Sequence, residues 1–78
     1  MAVQITSFSG ARLRAMRRAA GLRWEYLAER LGCTYSAVTR WEQGITAPSA
    51  VYLAQLCAAL RCDVGDLFDT VAVPAVPA

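Results

Sequence analysis

Apolar residues recur three and four positions apart along most of the chain, which is the spacing of amphipathic helices. Four helices are predicted at residues 9–20, 22–31, 34–43 and 49–60. A fifth, shorter helix is predicted after Asp63, because Asp66 in its first turn suits the helix dipole. Leu67 and Phe68 follow as core residues. The pattern therefore predicts an all-α fold, a compact domain of five helices.

The two ends of the chain depart from this pattern. Residues 1–8 are expected to form an N-terminal arm, in which the alternation of Val3 and Ile5 marks either a short strand or no regular structure. Residues 70–78 contain only Ala, Val and Pro after the first threonine, which predicts a flexible tail or a linker. The folded domain is accordingly assigned to residues 9–69.

The connection between the second and third helices is short and contains a glycine. Residues 31–34 leave room for a turn of three or four residues, which predicts a helix-turn-helix at about residues 24–43. Ala28 is small enough to let the two helices approach, Gly32 makes the turn, and the β-branched Val38 packs beneath it. The three residues together are a stronger signal than any one of them.

The third helix has two chemically different faces. Helical periodicity turns one set of residues inward, namely Thr34, Val38, Trp41 and Glu42. It turns another set outward, namely Ser36, Thr39, Arg40 and Gln43, with Tyr35 at the flank. Arginine can bind guanine and glutamine can bind adenine through paired hydrogen bonds, and small hydroxyls let a helix sit deep in the major groove. An ordinary polar face is the alternative, but within a helix-turn-helix we favour base readout.

The charge is unevenly distributed along the chain. Residues 1–44 carry seven arginines and three glutamates, a net charge of +4, whereas residues 45–78 carry one arginine and three aspartates, a net charge of −2. A basic half is typical of proteins that bind a polyanion such as nucleic acid. A solvated helix face is the alternative explanation of the same charges.

The composition argues against catalysis, metal binding and membrane insertion. There is no histidine, and Cys33, Cys57 and Cys62 lack the spacing of a zinc site, so small apolar roles in a reducing compartment are expected. No acid pair or glycine-rich phosphate loop indicates an enzyme or a cofactor. No apolar run is long enough to span a membrane, and the first residues do not resemble a signal peptide, so a cytoplasmic location is expected.

The sequence resembles the lambda repressor/Cro-like (XRE-type) family of bacterial and phage helix-turn-helix regulators over about residues 8–68. The matching motifs are Arg17-x-x-x-Gly21-Leu22, Leu27-Ala28-x-x-Leu31-Gly32, Val38-x-x-Trp41-Glu42-x-Gly44, Pro48, and Leu53-x-x-Leu56-x-x-x-Leu60-x-x-Asp63 through Leu67. The resemblance implies five helices, with the third in the DNA major groove. It implies base contacts by Tyr35, Ser36, Thr39 and Arg40, and backbone phosphate contacts by Thr34 and Gln43.

The start of the second helix departs from the family pattern. The family usually has Thr or Ser followed by Gln where the chain meets phosphate, whereas this sequence has Arg23 and Trp24. Arg23 can supply a phosphate contact of its own. Trp24 either donates its indole N–H to a phosphate or packs against the protein, and the sequence leaves both roles open.

Arg17 and Glu42 both stand on apolar helix faces, where a lone charge is costly. We therefore predict a partly buried ion pair between the first and third helices that fixes the angle of the recognition helix. The family resemblance implies the same bridge. The alternative is that each side chain reaches solvent separately.

Together these features predict a small transcriptional regulator that binds double-stranded DNA sequence-specifically, without a cofactor or a metal. One module covers few base pairs, so a homodimer on a palindromic operator is expected. The fifth helix with Phe68 is the favoured dimer surface, and the arm at Val3–Ile5 is a lesser candidate. The alternatives are a protein-interaction module of the antitoxin or adaptor type, or an isolated DNA-binding fragment of a larger regulator.

Overall fold

The computed structural model of the protein describes residues 2–74, and within them the side chains of residues 6–70. The elements, in chain order, are β1 (Ala2–Phe8), α1 (Gly10–Ala19), α2 (Trp24–Leu31), α3 (Tyr35–Gln43), α4 (Ala50–Leu60), a 3₁₀ helix (Val64–Leu67) and β2 (Phe68–Pro74). The fifth predicted helix is thus a short 3₁₀ helix of four residues.

The four α-helices begin and end within two residues of their predicted bounds. Side-chain caps fix three of the starts. Ser9 Oγ accepts a hydrogen bond from the backbone N–H of Arg12, Thr34 Oγ1 accepts from Ala37, and Ser49 Oγ accepts from Tyr52. These contacts are local in sequence, which is why the sequence predicted the helices well.

The helices enclose one core of nine buried apolar residues. The core consists of Leu13, Leu27, Ala28, Leu31, Val38, Trp41, Leu56, Leu60 and Leu67. Every α-helix contributes to it, and the 3₁₀ helix adds Leu67. The ring of Trp41 also packs against that of Tyr52 on α4, with 5.4 Å between centroids, so α3 is held from both the α1 and the α4 sides.

The two ends of the chain pair with each other, so the prediction of an all-α fold is wrong on this point. β1 and β2 form an antiparallel two-stranded sheet whose register runs from Ala2↔Pro74 to Phe8↔Phe68. The predicted arm and most of the predicted flexible tail are therefore strands, at residues 2–8 and 68–74. Residue 1 and residues 75–78 lie outside the described residues.

The three cysteines are free and half-buried. Burial raises the pKa of the Cys33 thiol, and burial together with the neighbouring Cys57 raises the pKa of Cys62 to about 11. The Cys33 and Cys62 thiols are therefore protonated at neutral pH and pack as small apolar groups. Within the described part of the chain, no cluster of His, Cys, Asp or Glu is arranged to hold a metal ion. No helix there is long and apolar enough to cross a bilayer.

Candidate nucleic-acid interface

A three-residue turn sets the angle between α2 and α3. Gly32 ends α2 in the left-handed region, at φ 70° and ψ 30°, where a side chain would cost roughly 1–2 kcal/mol. The N–H of Cys33 then donates to the Ala28 carbonyl at 3.0 Å. Ala28 and Val38 are buried at the junction, as a close approach of two helices requires. This is the helix-turn-helix predicted at residues 24–43.

The inward face of α3 is anchored in the core. Val38 and Trp41 are buried, and the Glu42 side chain is only 4% exposed. Thr34 was predicted to point inward, and this is wrong, because the structure exposes it. Thr34 is the N-cap, so it precedes the first helical residue and helical periodicity does not set its direction.

The structure brings Arg17 of α1 and Glu42 of α3 together in a two-armed ion pair. Arg17 Nε donates to Glu42 Oε2 at 2.6 Å, and Arg17 Nη2 donates to Oε1 at 3.1 Å. Nη1 donates to the backbone carbonyl of Leu22 at 3.0 Å, in the loop before α2. Every polar side-chain atom buried among the described residues has a hydrogen-bond partner. The pair therefore joins α1, the α1–α2 loop and α3 without leaving a buried charge unsatisfied.

Trp24 covers this ion pair at the start of α2. The Arg17 Cζ atom lies 5.0 Å from the centre of the indole ring, within the range of a cation–π contact. The Trp24 side chain stays at the surface, with 36% of the residue exposed. The structure thus gives Trp24 the packing role that the sequence left open, and its phosphate contact stays a prediction.

The outward face of α3 carries the residues predicted to contact bases. Tyr35, Ser36 and Arg40 are exposed, as is Gln43 at the end of the helix. Thr39 is half-buried, and its hydroxyl donates to the Ser36 carbonyl at 2.9 Å, so its oxygen can still accept a hydrogen bond. The acid of this helix is turned inward by its ion pair, which leaves the outward face free of negative charge.

The start of α2 offers hydrogen-bond donors beside this face. Arg23 is the N-cap and its side chain makes no capping hydrogen bond, so the first amide groups of α2 have no side-chain acceptor. The Arg23 side chain is 86% exposed and only loosely paired, with Nε 3.7 Å from Glu25 Oε2. Amide groups without a side-chain acceptor at a positive helix end, next to a largely exposed guanidinium, suit a phosphate. The Thr34 hydroxyl accepts from Ala37 and keeps its own O–H to donate.

Two residues of the site were missed by the sequence analysis. Arg14 lines a surface pocket of about 180 Å³ together with Trp24, Thr39 and Gln43, so it adds a guanidinium next to the outward face. Gly10 lies where α1 meets the end of α3, and a Cβ there would approach the Trp41 carbonyl oxygen to 2.3 Å. The arginine-rich first helix predicted a basic surface but did not single out Arg14. Nothing in the sequence signalled Gly10, because its constraint comes from another helix.

Comparison with known proteins places this geometry in a family. Residues 10–71 match the family model described as a helix-turn-helix domain. No curated protein is similar enough in sequence to match the chain.

Solved structures match the same fold. The P22 c2 repressor, bound to the synthetic operator 9T, is 31% identical with a TM-score of 0.72, over 78% of this chain and 92% of that one. The restriction-modification controller C.AhdI from Aeromonas hydrophila is 38% identical with a TM-score of 0.69, over 74% and 88%. The biofilm regulator SinR, in complex with DNA, is 29% identical with a TM-score of 0.68, over 74% and 94%. SinR is also known in complex with the SinI protein.

Proposed function

The chain belongs to the Cro/C1-type helix-turn-helix family, and from that premise we propose that it is a transcriptional regulator that binds a specific double-stranded DNA sequence through α3. The supporting observation is the two-sidedness of this helix. Its one acid is held inward by Arg17, whereas Ser36, Arg40 and Gln43 stand exposed on the other side. A helix with hydroxyl, guanidinium and amide groups and no acid on its outward face is suited to the major groove.

The contacts divide into two classes. Tyr35, Ser36, Thr39 and Arg40 are proposed to meet base edges, with Arg40 as the main reader because a guanidinium can bind guanine through two hydrogen bonds. Arg23, Trp24, Thr34 and Gln43 are proposed to meet phosphates, which position the module without reading sequence. Arg14 joins the second class because it borders the same face.

The proposal includes a homodimer on a palindromic operator, in the cytoplasm of a bacterial cell. One module reads only a few base pairs, which is too little for specificity in a genome. A two-fold dimer would place the two α3 helices about 34 Å apart, one turn of DNA, so that both enter the same side of the duplex.

The test is binding to DNA measured at several salt concentrations. Each neutralised phosphate contributes about −0.9 to the slope of log affinity on log salt, so two arginines in each of two copies predict a slope of about −3 to −4. Arg23→Ala should weaken binding to all sequences and make this slope shallower. Arg30→Ala is the matched control, because Arg30 borders a groove formed by α2, α4 and the connection between α1 and α2, and no residue of α3 lines it.

Absence of DNA binding at low salt would reject this function. The protein-interaction alternative would then account for the same fold, since SinR shows that a similar chain also occurs with a protein partner. Equal effects of Arg23→Ala and Arg30→Ala would mean that binding is charge-driven and is not centred on α3.

A further inference from the structure

A surface groove lies between α2 and α4, and no residue of α3 lines it. Its volume is about 460 Å³, and its walls come from these two helices and from the connection between α1 and α2. The charged residues that line it are Arg30, in the last turn of α2, and Arg61, directly after α4. Apart from Tyr26, the other lining residues are alanines and leucines. The groove is therefore basic, and no acidic residue lines it.

The two arginines of the groove have no acidic partner in the part of the chain whose side chains are described. The salt bridges there involve three other arginines, and neither Arg30 nor Arg61 takes part in one. All six acidic residues of the protein lie in that part of the chain. Both arginines are exposed, so each can grip a carboxylate from outside the chain through paired hydrogen bonds.

Tyr26 orders the side chain of Arg30. Arg30 Nη1 donates to the phenol oxygen of Tyr26 at 3.1 Å, and Arg30 Cζ lies 5.9 Å from the centre of the ring. Because the phenol oxygen accepts this hydrogen bond, its own O–H is left to donate. The guanidinium also keeps further N–H donors. Arg30 and Tyr26 thus offer several donors at one point of the groove, and an ordered side chain loses less entropy when it binds.

Arg61 occupies a backbone conformation that this protein otherwise gives to glycine. Its φ is 54° and its ψ is 50°, in the left-handed region. The other residues with positive φ in the described chain are Gly21, Gly32 and Gly44. A side chain is strained there and glycine is not, and the strain exceeds what a cation gains from the dipole of a helix end. Residues held in such conformations cluster at functional sites.

The groove continues onto an uncharged face of α4. No charged residue occurs along Ala50–Leu60. Val51, Ala54 and Ala58 share one face by helical spacing and are exposed, Val51 to 67%. Ala58 also lines the groove, so an exposed apolar surface leads directly to the two arginines. A ligand that fits both parts carries apolar side chains next to carboxylates.

We propose that the groove and the adjoining face of α4 dock an acidic amphipathic segment of another protein. Its carboxylates bind Arg30 and Arg61, and its apolar side chains pack on α4. The occupant is assigned by charge complementarity, because two unpaired cations with no acid beside them attract carboxylates and repel basic segments. Arginine and tyrosine are also the residue types in which protein interfaces are enriched.

This docking site goes beyond the proposed function, because it adds a protein partner to the DNA. The residues proposed to contact DNA lie on α1, α3 and the start of α2, and none of them lines the groove. Arg30 is seven residues beyond Arg23, which is roughly 10 Å along α2. The protein partner can therefore bind while α3 stays in the major groove.

Selection from random peptides displayed on phage, with the full chain as bait, tests the proposal. Enriched peptides should carry Asp or Glu beside apolar residues, and the affinity of one of them is then measured by fluorescence anisotropy. Arg30→Ala and Arg61→Gly should each weaken it about threefold to tenfold. Replacing the acids of the peptide by their amides should weaken binding further. Arg23→Ala removes the same charge from the other end of α2 and should leave the affinity nearly unchanged.

Arg61→Gly also separates docking from a purely structural role of this arginine. The variant keeps the left-handed backbone without strain, so its thermal midpoint should stay close to that of the wild type. If Arg61 served only the dipole of α4, the variant would bind the peptide like the wild type, and this would contradict the proposal.

Three further results would overturn it. One is a selection that enriches no acidic peptides. Another is an equal loss of peptide affinity in Arg23→Ala and Arg61→Gly. The third is a loss of DNA affinity in Arg30→Ala and Arg61→Gly as large as in Arg23→Ala, which would make the groove a nucleic-acid surface. A chain that binds the peptide but no DNA would reject the proposed function and retain the docking site, whereas the reverse result would reject the docking site alone.

Discussion

Two arginine–carboxylate pairs tie α1 to other parts of the molecule, and burial is what separates them. The side chains of Arg17 and Glu42 are 9% and 4% exposed, whereas those of Arg12 and Asp69 are 51% and 50% exposed. The same functional groups thus meet away from water near one end of α1 and in solvent at the other. The first pair holds α3, and the second joins α1 to β2.

The difference between the two pairs shows that a contact between opposite charges does not by itself reveal how much an ion pair contributes to stability. An exposed pair is screened by water and salt, so its loss changes little. A buried pair adds little when compared with well-packed apolar residues, but removing one partner strands the other charge in the interior. The Arg17–Glu42 pair therefore fixes the position of α3. Removing either partner costs stability, because the other charge is then left buried without a counter-ion.

The largest effect is expected from Arg17→Met. This change keeps the volume of the side chain but leaves the Glu42 carboxylate buried without its partner, so we expect a loss of about 3–5 kcal/mol in the free energy of unfolding. Urea unfolding at neutral pH measures it. Arg12→Met is the matched control on the same helix and should cost far less. A loss below about 0.5 kcal/mol for Arg17→Met, as for a surface pair, would contradict the account.

The double variant Arg17→Met with Glu42→Met should regain much of that stability, because two apolar side chains then replace two charges. A double variant as unstable as Arg17→Met alone would mean that the damage lies in packing and not in a stranded charge. The same urea experiment distinguishes the two outcomes.

The sequence predicted this pair because both residues stand on apolar stripes of regular helices. The four α-helices and the short turn were predictable for the same reason, since caps, glycines and periodicity are local signals. The pairing of β1 with β2 was not predictable, because it joins residues such as Thr6 and Thr70, which are 64 positions apart. From its own residues the first strand remains open as a short strand or as no regular structure, whereas residues 70–78 predict a flexible tail or a linker. The constraint on Gly10 was missed for a related reason, because the atoms that leave no room for a side chain there belong to the backbone of a helix distant in sequence.

A smaller effect is expected from Gly10→Ala. The new Cβ would lie 2.3 Å from the Trp41 carbonyl oxygen and 2.6 Å from that of Glu42, which are backbone atoms that cannot rotate away. The start of α1 must shift from the end of α3, at a cost of about 1–3 kcal/mol. Gly65→Ala is the control, because a Cβ there meets no atom within 4 Å. Equal urea midpoints for the two variants would show that this junction is looser than described.

The smallest effect is expected from Asp69→Asn. The hydrogen bond from Arg12 holds the pKa of the Asp69 carboxyl below its ordinary value. A lowered folded-state pKa stabilises the fold above the unfolded-state value of about 3.9, and this contribution is lost as the pH falls through the folded-state pKa. The thermal midpoints of wild type and variant should therefore differ slightly at pH 7 and converge in acid. A difference in thermal midpoint that widens in acid would contradict a lowered pKa for Asp69.

The central claim is that the buried pair turns α3 so that Arg40 reads bases while Arg23 only holds the backbone. Selection of bound sequences from random DNA, performed with the wild type, Arg40→Ala and Arg23→Ala, tests it most directly. We predict that Arg40→Ala loses the preference at one base position in each half-site, worth about 1–3 kcal/mol, and keeps the others. Arg23→Ala should weaken all sequences alike. A uniform loss with Arg40→Ala and a position-specific loss with Arg23→Ala would contradict the claim.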